Sequence, residues 1–118
     1  MNVRLRVIVE PLRPLDAVGI DGFVDKVATL LGEDPAGIRS RDRTRNVTEA
    51  RHLAQHFLLT HSSLTQTDIG EWFGQDRSTI SEASKTIKNL LSVSNESVVE
   101  KHYLIFNWIK SLQHEQEN

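Results

Sequence analysis

The sequence predicts an all-α domain of about five helices that includes a helix-turn-helix, preceded by a short strand or arm. Three observations predict this fold. Apolar residues recur every three or four positions from Ile20 onward, a short turn containing glycine joins two of the resulting helices, and the chain has no internal repeat. At 118 residues, the chain has the length of one domain with a single core.

Residues 1–18 are predicted to form an N-terminal arm or strand, and residues 19–118 the helical domain. Within Val3–Val9 of the arm, apolar and basic residues alternate until Ile8 breaks the period, and this pattern predicts a short strand or extended arm. Pro11 and Pro14 then interrupt any regular element. We therefore expect helices only beyond this segment.

Each predicted helix has one apolar stripe, which we expect to face the core. The first helix runs from Ile20 to Gly32, and the fifth from about Glu96 to Leu112. The segment IRSRDRTRN, residues 38–46, has no apolar period and is predicted to be a basic loop. The second helix follows it and spans at least Val47 to Leu58. The polar face of this second helix carries Glu49, Arg51, His52 and Gln55.

The third and fourth helices form the predicted helix-turn-helix. Thr65 and Asp68 match a capping box, in which each side chain accepts a hydrogen bond from the other residue's backbone amide. This motif predicts that the third helix begins here, and Gly74 predicts its end. The fourth helix then begins within three residues, with Asp76 or Ser78 as its cap.

The outer face of the fourth helix carries mostly short side chains of mixed polarity. Once the apolar stripe is buried, the residues that face outward are Arg77, Ser78, Ser81, Glu82 and Lys85. In helix-turn-helix proteins the N-terminal residues of the second helix contact base edges in the major groove. Arginine suits guanine there, serine suits several edges, and the Asp76 carboxylate suits a cytosine amino group. An ordinary solvated helix surface is the alternative interpretation.

The charge of the chain is unevenly distributed. Its net charge of −2 argues against a polyanionic partner. Residues 35–51, however, hold five arginines and two acidic residues, a net charge of +3, whereas residues 1–34 and 92–118 each carry −2. A run of arginines is often only a solvated loop, yet arginine arms in the minor groove accompany major-groove helices. The basic centre therefore favours DNA as a partner.

Composition and motifs exclude several other classes of function. Without cysteine, the chain has no disulfide, thiolate zinc site or cysteine nucleophile. No segment approaches the roughly 20 apolar residues that cross a bilayer. No glycine is followed by lysine, so a nucleotide-binding P-loop is absent from the sequence. His52 and His56 have a spacing that can bind zinc, but we interpret them as solvated. We predict no metal, cofactor, nucleotide or catalysis.

Four separated blocks between Arg39 and Ile87 form an ordered pattern. The blocks are Arg43-Thr-Arg45-Asn-Val47, Ala50-Arg51-His-Leu-Ala54, Ile69-Gly70-Glu-Trp-Phe73-Gly74, and Asp76-Arg77-Ser78-Thr79-Ile80 with Ala83 and Ile87. In this order they resemble the C-terminal DNA-binding domain of the bacterial chromosomal replication initiator DnaA, over about 50 of the 118 residues. The resemblance implies a Trp-repressor-like helical fold that binds double-stranded DNA as a monomer at a DnaA-box-like site. It also implies a cytoplasmic, nucleoid-associated location.

The resemblance also implies roles for individual residues. Arg43 would enter the minor groove, with Arg41 and Arg45 beside it. Arg51 would hold a phosphate, and the segment Asp76–Thr79 would read bases in the major groove. The complete set of predicted DNA-binding residues is Arg41, Arg43, Arg45, Arg51, Thr65, Gln75, Asp76, Arg77, Ser78, Thr79 and Lys85.

The sequence also departs from the family pattern. Where the family has Arg-Asp-His at the turn, this chain has Gln75-Asp76-Arg77, and the turn is one residue shorter. Glu82 stands where the family often has histidine. We therefore expect a different sequence preference. Because the family's ATPase motif is missing, a chain that starts at Met1 would be a free-standing DnaA-like protein.

The alternative function is that of a transcriptional regulator or of a protein-interaction domain that kept the fold without binding the family's site. Tyr103 and Trp108 on the fifth helix are the candidate contact surface.

Overall fold

The computed structural model describes residues 13–117 and, for side chains, residues 13–113. This part of the chain is all-α, as predicted, with six α-helices and no strand. The strand predicted at Val3–Val9 lies outside the described residues. The helices are α1 (Ile20–Leu31), α2 (Pro35–Arg39), α3 (Arg45–His61), α4 (Gln66–Phe73), α5 (Arg77–Ser92) and α6 (Glu96–Glu117).

The boundaries predicted for the basic loop, residues 38–46, are wrong at both ends. Its first two residues belong to α2, and its last two belong to α3. The Asp34 carboxylate caps α2 by accepting from the Ala36 amide at 3.0 Å, and Pro35 supplies the preset backbone angle of a first helical residue. With five residues, α2 is too short to show an apolar period, although Ile38 is fully buried.

The last residues of the predicted arm pack against the domain. Pro14–Asp16 form a 3-10 turn whose Leu15 side chain lies in the core. The Asp16 carboxylate accepts hydrogen bonds from the backbone amide of Ser63 at 2.8 Å and from its hydroxyl at 2.7 Å. These bonds lower the pKa of Asp16, because they favour its charged form. Pro14 thus begins an ordered turn.

Helix α3 is the centre of the domain and contacts all five other helices. The apolar stripes predicted for the helices face this centre, and α5 contributes Ile80, Ala83 and Ile87 to it. Around them lies one continuous core. Its largest fully buried side chains include Phe23, Leu53, Phe57, Ile69, Ile105 and Ile109.

The polar face of α3 is largely buried, so the expectation that His56 is solvated is wrong. His56 is only 7% exposed, and Arg51 and Gln55 are 5% and 0% exposed. Because α3 is surrounded by helices, its polar residues find partners inside the protein. The Nδ1 atom of His56 lies 2.8 Å from the Ser84 hydroxyl of α5.

The predicted capping box at the start of α4 is confirmed. The Thr65 hydroxyl accepts from the Asp68 amide at 3.1 Å, and the Asp68 carboxylate accepts from the Thr65 amide at 2.9 Å. At the other end, Gly74 adopts the left-handed conformation with φ 68° and ends the helix, as predicted.

Gly70 allows the turn to pack directly onto α4. A Cβ atom at this position would lie 2.5 Å from the backbone oxygen of Gln75. The Gln75 amide also donates to the Gly70 oxygen at 2.8 Å. A residue with a side chain would push the two backbone segments apart, so the tight helix-turn-helix depends on glycine here.

Replacing Gly70 by alanine should therefore destabilise the domain by about 1–3 kcal/mol through overpacking against the backbone. Urea denaturation measures the change. Gly37→Ala is the matched control: its Cβ would meet the side chains of Val47 and Asp34 at ordinary contact distances of 3.6 Å or more. Because alanine is also the better helix former, the control should be neutral or slightly stabilising. Equal losses in the two variants would contradict the close-approach explanation.

The burial of His56 makes stability depend on pH. Burial, followed by the neighbouring charges of His102, Lys88 and His61, lowers the pKa of His56 from 6.5 to about 4. The unfolded chain therefore binds a proton at a higher pH than the folded one does. Stability from this group is complete above pH 6.5 and falls as the pH drops from 6.5 towards 4.

We expect the free energy of unfolding to fall by about 3 kcal/mol over that pH range because of His56. Urea denaturation at pH 7, 6, 5 and 4 measures the slope. The variant His56→Gln should have a clearly smaller slope, and the remaining slope should come from His52, His61 and His102, whose pKa values partial burial also lowers. An unchanged slope in this variant would show that His56 does not carry the effect.

Candidate nucleic-acid interface

An open cleft of about 380 Å³ lies between the basic loop and the helix-turn-helix. The loop, α3 and the turn each contribute to its walls. Six of the predicted DNA-binding residues meet here, although they come from separate blocks of the sequence. The lining residues are Arg41, Arg43, Arg51, Gly74, Gln75, Asp76 and Thr79.

Arg51 ties the basic loop to α3. Its Nε atom donates to the backbone oxygen of Ile38 at 2.7 Å, and its Nη2 atom donates to those of Gly37 at 3.0 Å and Asp42 at 2.8 Å. Burial lowers the pKa of Arg51, but a guanidinium stays charged at neutral pH. The side chain also lines the cleft, so the predicted phosphate contact stays a prediction beside this observed role.

The loop itself is held by short hydrogen bonds. The Ser40 hydroxyl accepts from the Asp42 amide at 3.1 Å, and the Asp42 carboxylate accepts from the Thr44 amide at 2.7 Å. The bonds from Thr44 lower the pKa of Asp42, which stays ionised at neutral pH. The side chains of Arg41 and Arg43 are exposed on this ordered frame. The loop thus presents two guanidinium groups to the cleft.

The N-terminus of α5 forms the opposite wall. Asp76 is the backbone cap of this helix, but its carboxylate makes no capping hydrogen bond. Arg77, Ser78 and Thr79 are exposed on the first turn. The first amides of a helix have no partner within it and carry partial positive charge. Donors, a free carboxylate and hydroxyls therefore stand together at this end of the helix.

The sequence pattern of the family described as "Bacterial dnaA protein helix-turn-helix" matches residues 20–87. The chain belongs to this family. Membership implies that the domain binds DNA. Domains of this family are typically not enzymes. The match ends at Ile87, so it contains the cleft and the first turns of α5.

Two curated relatives illustrate this membership, and both are named chromosomal replication initiator protein DnaA. The one from Bacteroides fragilis is 31% identical over 78 residues, which is 65% of this chain and 16% of the relative. The one from Thermosipho melanesiensis is 30% identical over 86 residues, which is 70% of this chain and 19% of the relative. The chain thus matches less than one fifth of the length of these DnaA proteins.

Not every arginine of the basic centre in this DnaA-family domain faces the cleft. Arg39 lies over the ring of Trp72, with 3.9 Å between its guanidinium carbon and the ring centroid. Arg45 is on the first turn of α3, and its Nε atom lies 3.7 Å from the Glu49 carboxylate. Arg41, Arg43 and Arg51 therefore account for the arginines of the cleft wall.

Four further predicted residues lie outside the cleft lining. Arg77 and Ser78 are exposed on the first turn of α5. The Thr65 hydroxyl is occupied in the capping box of α4. Lys85 is exposed on α5, with its amino group 3.5 Å from the Glu82 carboxylate. Exposed pairs of this kind contribute little to stability, but this pair partly offsets the negative charge that Glu82 places on the outer face.

Gln55 is a component of the site that sequence reasoning missed. It is fully buried in α3, one helical turn after Arg51, and its Nε2 atom donates to Oε1 of Gln75 at 2.8 Å. Sequence reasoning placed it on a polar face. Its spacing of four from Arg51 is the signal that both side chains point to the same neighbouring elements.

Among the side chains of residues 13–113, no group of three or more histidines and carboxylates is arranged to hold a metal ion. Over residues 13–117, no helix is both long and apolar enough to cross a membrane.

Replacing Arg51 by methionine should cost about 2–4 kcal/mol of stability, because the buried side chain loses three hydrogen bonds and leaves the Ile38 and Asp42 oxygens without their donor. Urea denaturation measures this loss. Arg43→Met is the matched control, since Arg43 is exposed, and it should change stability by less than about 0.5 kcal/mol. Similar stabilities for the two variants would argue against the loop-tying role of Arg51.

Proposed function

We propose that this domain binds double-stranded DNA with a sequence preference, placing the N-terminus of α5 in the major groove and the loop 40–44 at the adjacent minor groove. The observation that carries the proposal is the cleft, which joins Arg41 and Arg43 of the loop to Asp76 and Thr79 of the helix-turn-helix. One duplex can contact both walls at once. This two-groove arrangement is common among helix-turn-helix proteins that have an arginine arm.

We assign the exposed side chains of the loop to affinity for DNA and those of α5 to the selection of its sequence. Guanidinium groups at the loop suit phosphates and the narrow, negatively charged minor groove. On α5, Arg77 suits the acceptors of guanine, and the uncapped carboxylate of Asp76 suits the amino group of cytosine. Ser78 adds a hydroxyl that can donate or accept. The N-terminus of α5 therefore supplies the residues that we propose to select the sequence.

The biological setting follows from the relatives. Since these are chromosomal replication initiator proteins, we propose a role in replication initiation or its regulation, in the cytoplasm at the nucleoid. The proposal covers the DNA-binding step only, because the matched stretch is 16% and 19% of those proteins. We propose binding as a monomer and at a site that differs from the family's usual box.

A protein-interaction surface is the second candidate, and the outer face of α6 favours it. Tyr103 is 60% exposed and Val99 is 42% exposed on this helix. Trp108, the other residue predicted for this surface, is instead half-buried and stacked on Phe23, with the ring centroids 6.0 Å apart. The candidate surface is therefore Tyr103 with Val99.

The test is selection from a pool of random duplexes, followed by titration of the selected duplex at several salt concentrations. Arg77→Ala should weaken binding to the selected duplex about fivefold to a hundredfold and relax the preference at one position. Arg43→Ala should weaken binding and make the salt dependence shallower, since a cationic contact is lost. Lys110→Ala, which removes an exposed charge from α6, is the control and should change neither.

Absence of any preferred duplex at low salt would overturn the proposal, as would wild-type binding by Arg43→Ala and Arg77→Ala. Self-association that persists at high salt and is abolished by Tyr103→Ala would favour the second candidate.

A further inference from the structure

Gln75 is fixed at both its backbone and its side chain. Its backbone amide donates to the Gly70 oxygen at 2.8 Å. Because Gly70 has no Cβ, the two backbone segments can come into contact here. Its side-chain Oε1 accepts from Gln55 Nε2 at 2.8 Å. Gln75 also lines the cleft, together with Arg41 and Arg43 of the loop. Its side-chain amide is therefore held in place at the cleft by Gln55.

Gln55 makes this contact at a cost to the fold. The residue is fully buried, and its Oε1 atom has no hydrogen-bond partner among the described residues. A buried polar atom without a partner lowers stability, whereas an apolar side chain of the same shape would not. Packing alone would favour an apolar residue at this position. The hydrogen bond to Gln75 is the interaction that a glutamine at position 55 makes and an apolar residue would not.

The contact decides which end of the Gln75 amide is available to a ligand. Because Oε1 is held by Gln55, the Nε2 group, which only donates, is the end of the amide with no partner among the described residues. The neighbouring Arg41 and Arg43 are also donors only. A phosphate oxygen, guanine O6 or N7, or thymine O4 accepts from such groups, whereas an amino group does not.

We propose that Gln55 is a positioning residue that holds the Gln75 amide as a hydrogen-bond donor towards DNA. This inference rests on the proposed function and extends it to a residue that never touches the duplex. Loss of Gln55 should let the Gln75 amide rotate, so that donor and acceptor ends are both available. The result should be weaker and less discriminating binding by a protein that folds normally.

The experiment is a double-mutant cycle with Gln55→Met and Gln75→Ala. Methionine has the shape of glutamine without its polar atoms, so Gln55→Met should keep or raise the melting temperature. It should weaken binding to the duplex selected by the wild-type protein about two- to tenfold, while binding to a scrambled duplex changes less. In the Gln75→Ala background, Gln55→Met should have no further effect on binding. Gln113→Met, the same replacement at an exposed position, is the control.

An equal loss in both backgrounds would overturn the inference, because Gln55 would then act without Gln75. Unchanged discrimination in Gln55→Met would overturn it as well. If Gln55→Met does not fold, side-chain amide NMR of the wild-type protein decides: the Gln75 Nε2 protons should become protected when the selected duplex is added, and unprotected protons would overturn the inference. A wild-type protein that binds no duplex at all would instead refute the proposed function.

Discussion

The hydrogen bonds of the buried Arg51 guanidinium are the interaction on which the candidate interface depends. Through three backbone oxygens it connects the central helix α3 to the end of α2 and to the basic loop. A lysine could not replace it, because one ammonium group lacks the planar fork that reaches several carbonyls at once. Arg41 and Arg43 are exposed, so their direction is set by the backbone that Arg51 holds.

The same face of α3 holds the opposite wall of the cleft. Gln55 follows Arg51 by one helical turn and contacts the side chain of Gln75 in the turn between α4 and α5. Gly70 allows that turn to lie directly on α4. Two polar residues one turn apart on α3 thus contact the basic loop on one side and the turn before α5 on the other. The interface residues themselves can stay exposed because their supports are buried.

The local distribution of charge reconciles an acidic chain with a nucleic-acid partner. Near the cleft, the Asp42 carboxylate is engaged by Thr44 and holds the loop together. On the outer face of α5, Glu82 is paired with Lys85. Asp76 is different, because its carboxylate makes no capping bond. An unengaged carboxylate beside arginines weakens attraction to phosphate and is better suited to discriminate between bases.

The sequence by itself determined the helices and their ends wherever the signal is local. The apolar stripe of Ile80, Ala83 and Ile87, the capping box of Thr65 and Asp68, and the left-handed Gly74 each involve a few neighbouring residues, so spacing alone predicts them. Family resemblance then predicted six residues that line the cleft. Helix α2 was not predicted, because a helix of five residues is too short to show a helical period of apolar residues.

Only the tertiary structure decided which polar residues are buried. The partners of Arg51 lie 9 to 14 positions away, and that of Gln55 lies 20 away. His56 and Ser84 are 28 positions apart. A helical period separates apolar from polar faces, but it does not reveal that α3 is enclosed by other helices. Burial of its polar face, and with it the supports of the cleft, follows from that enclosure.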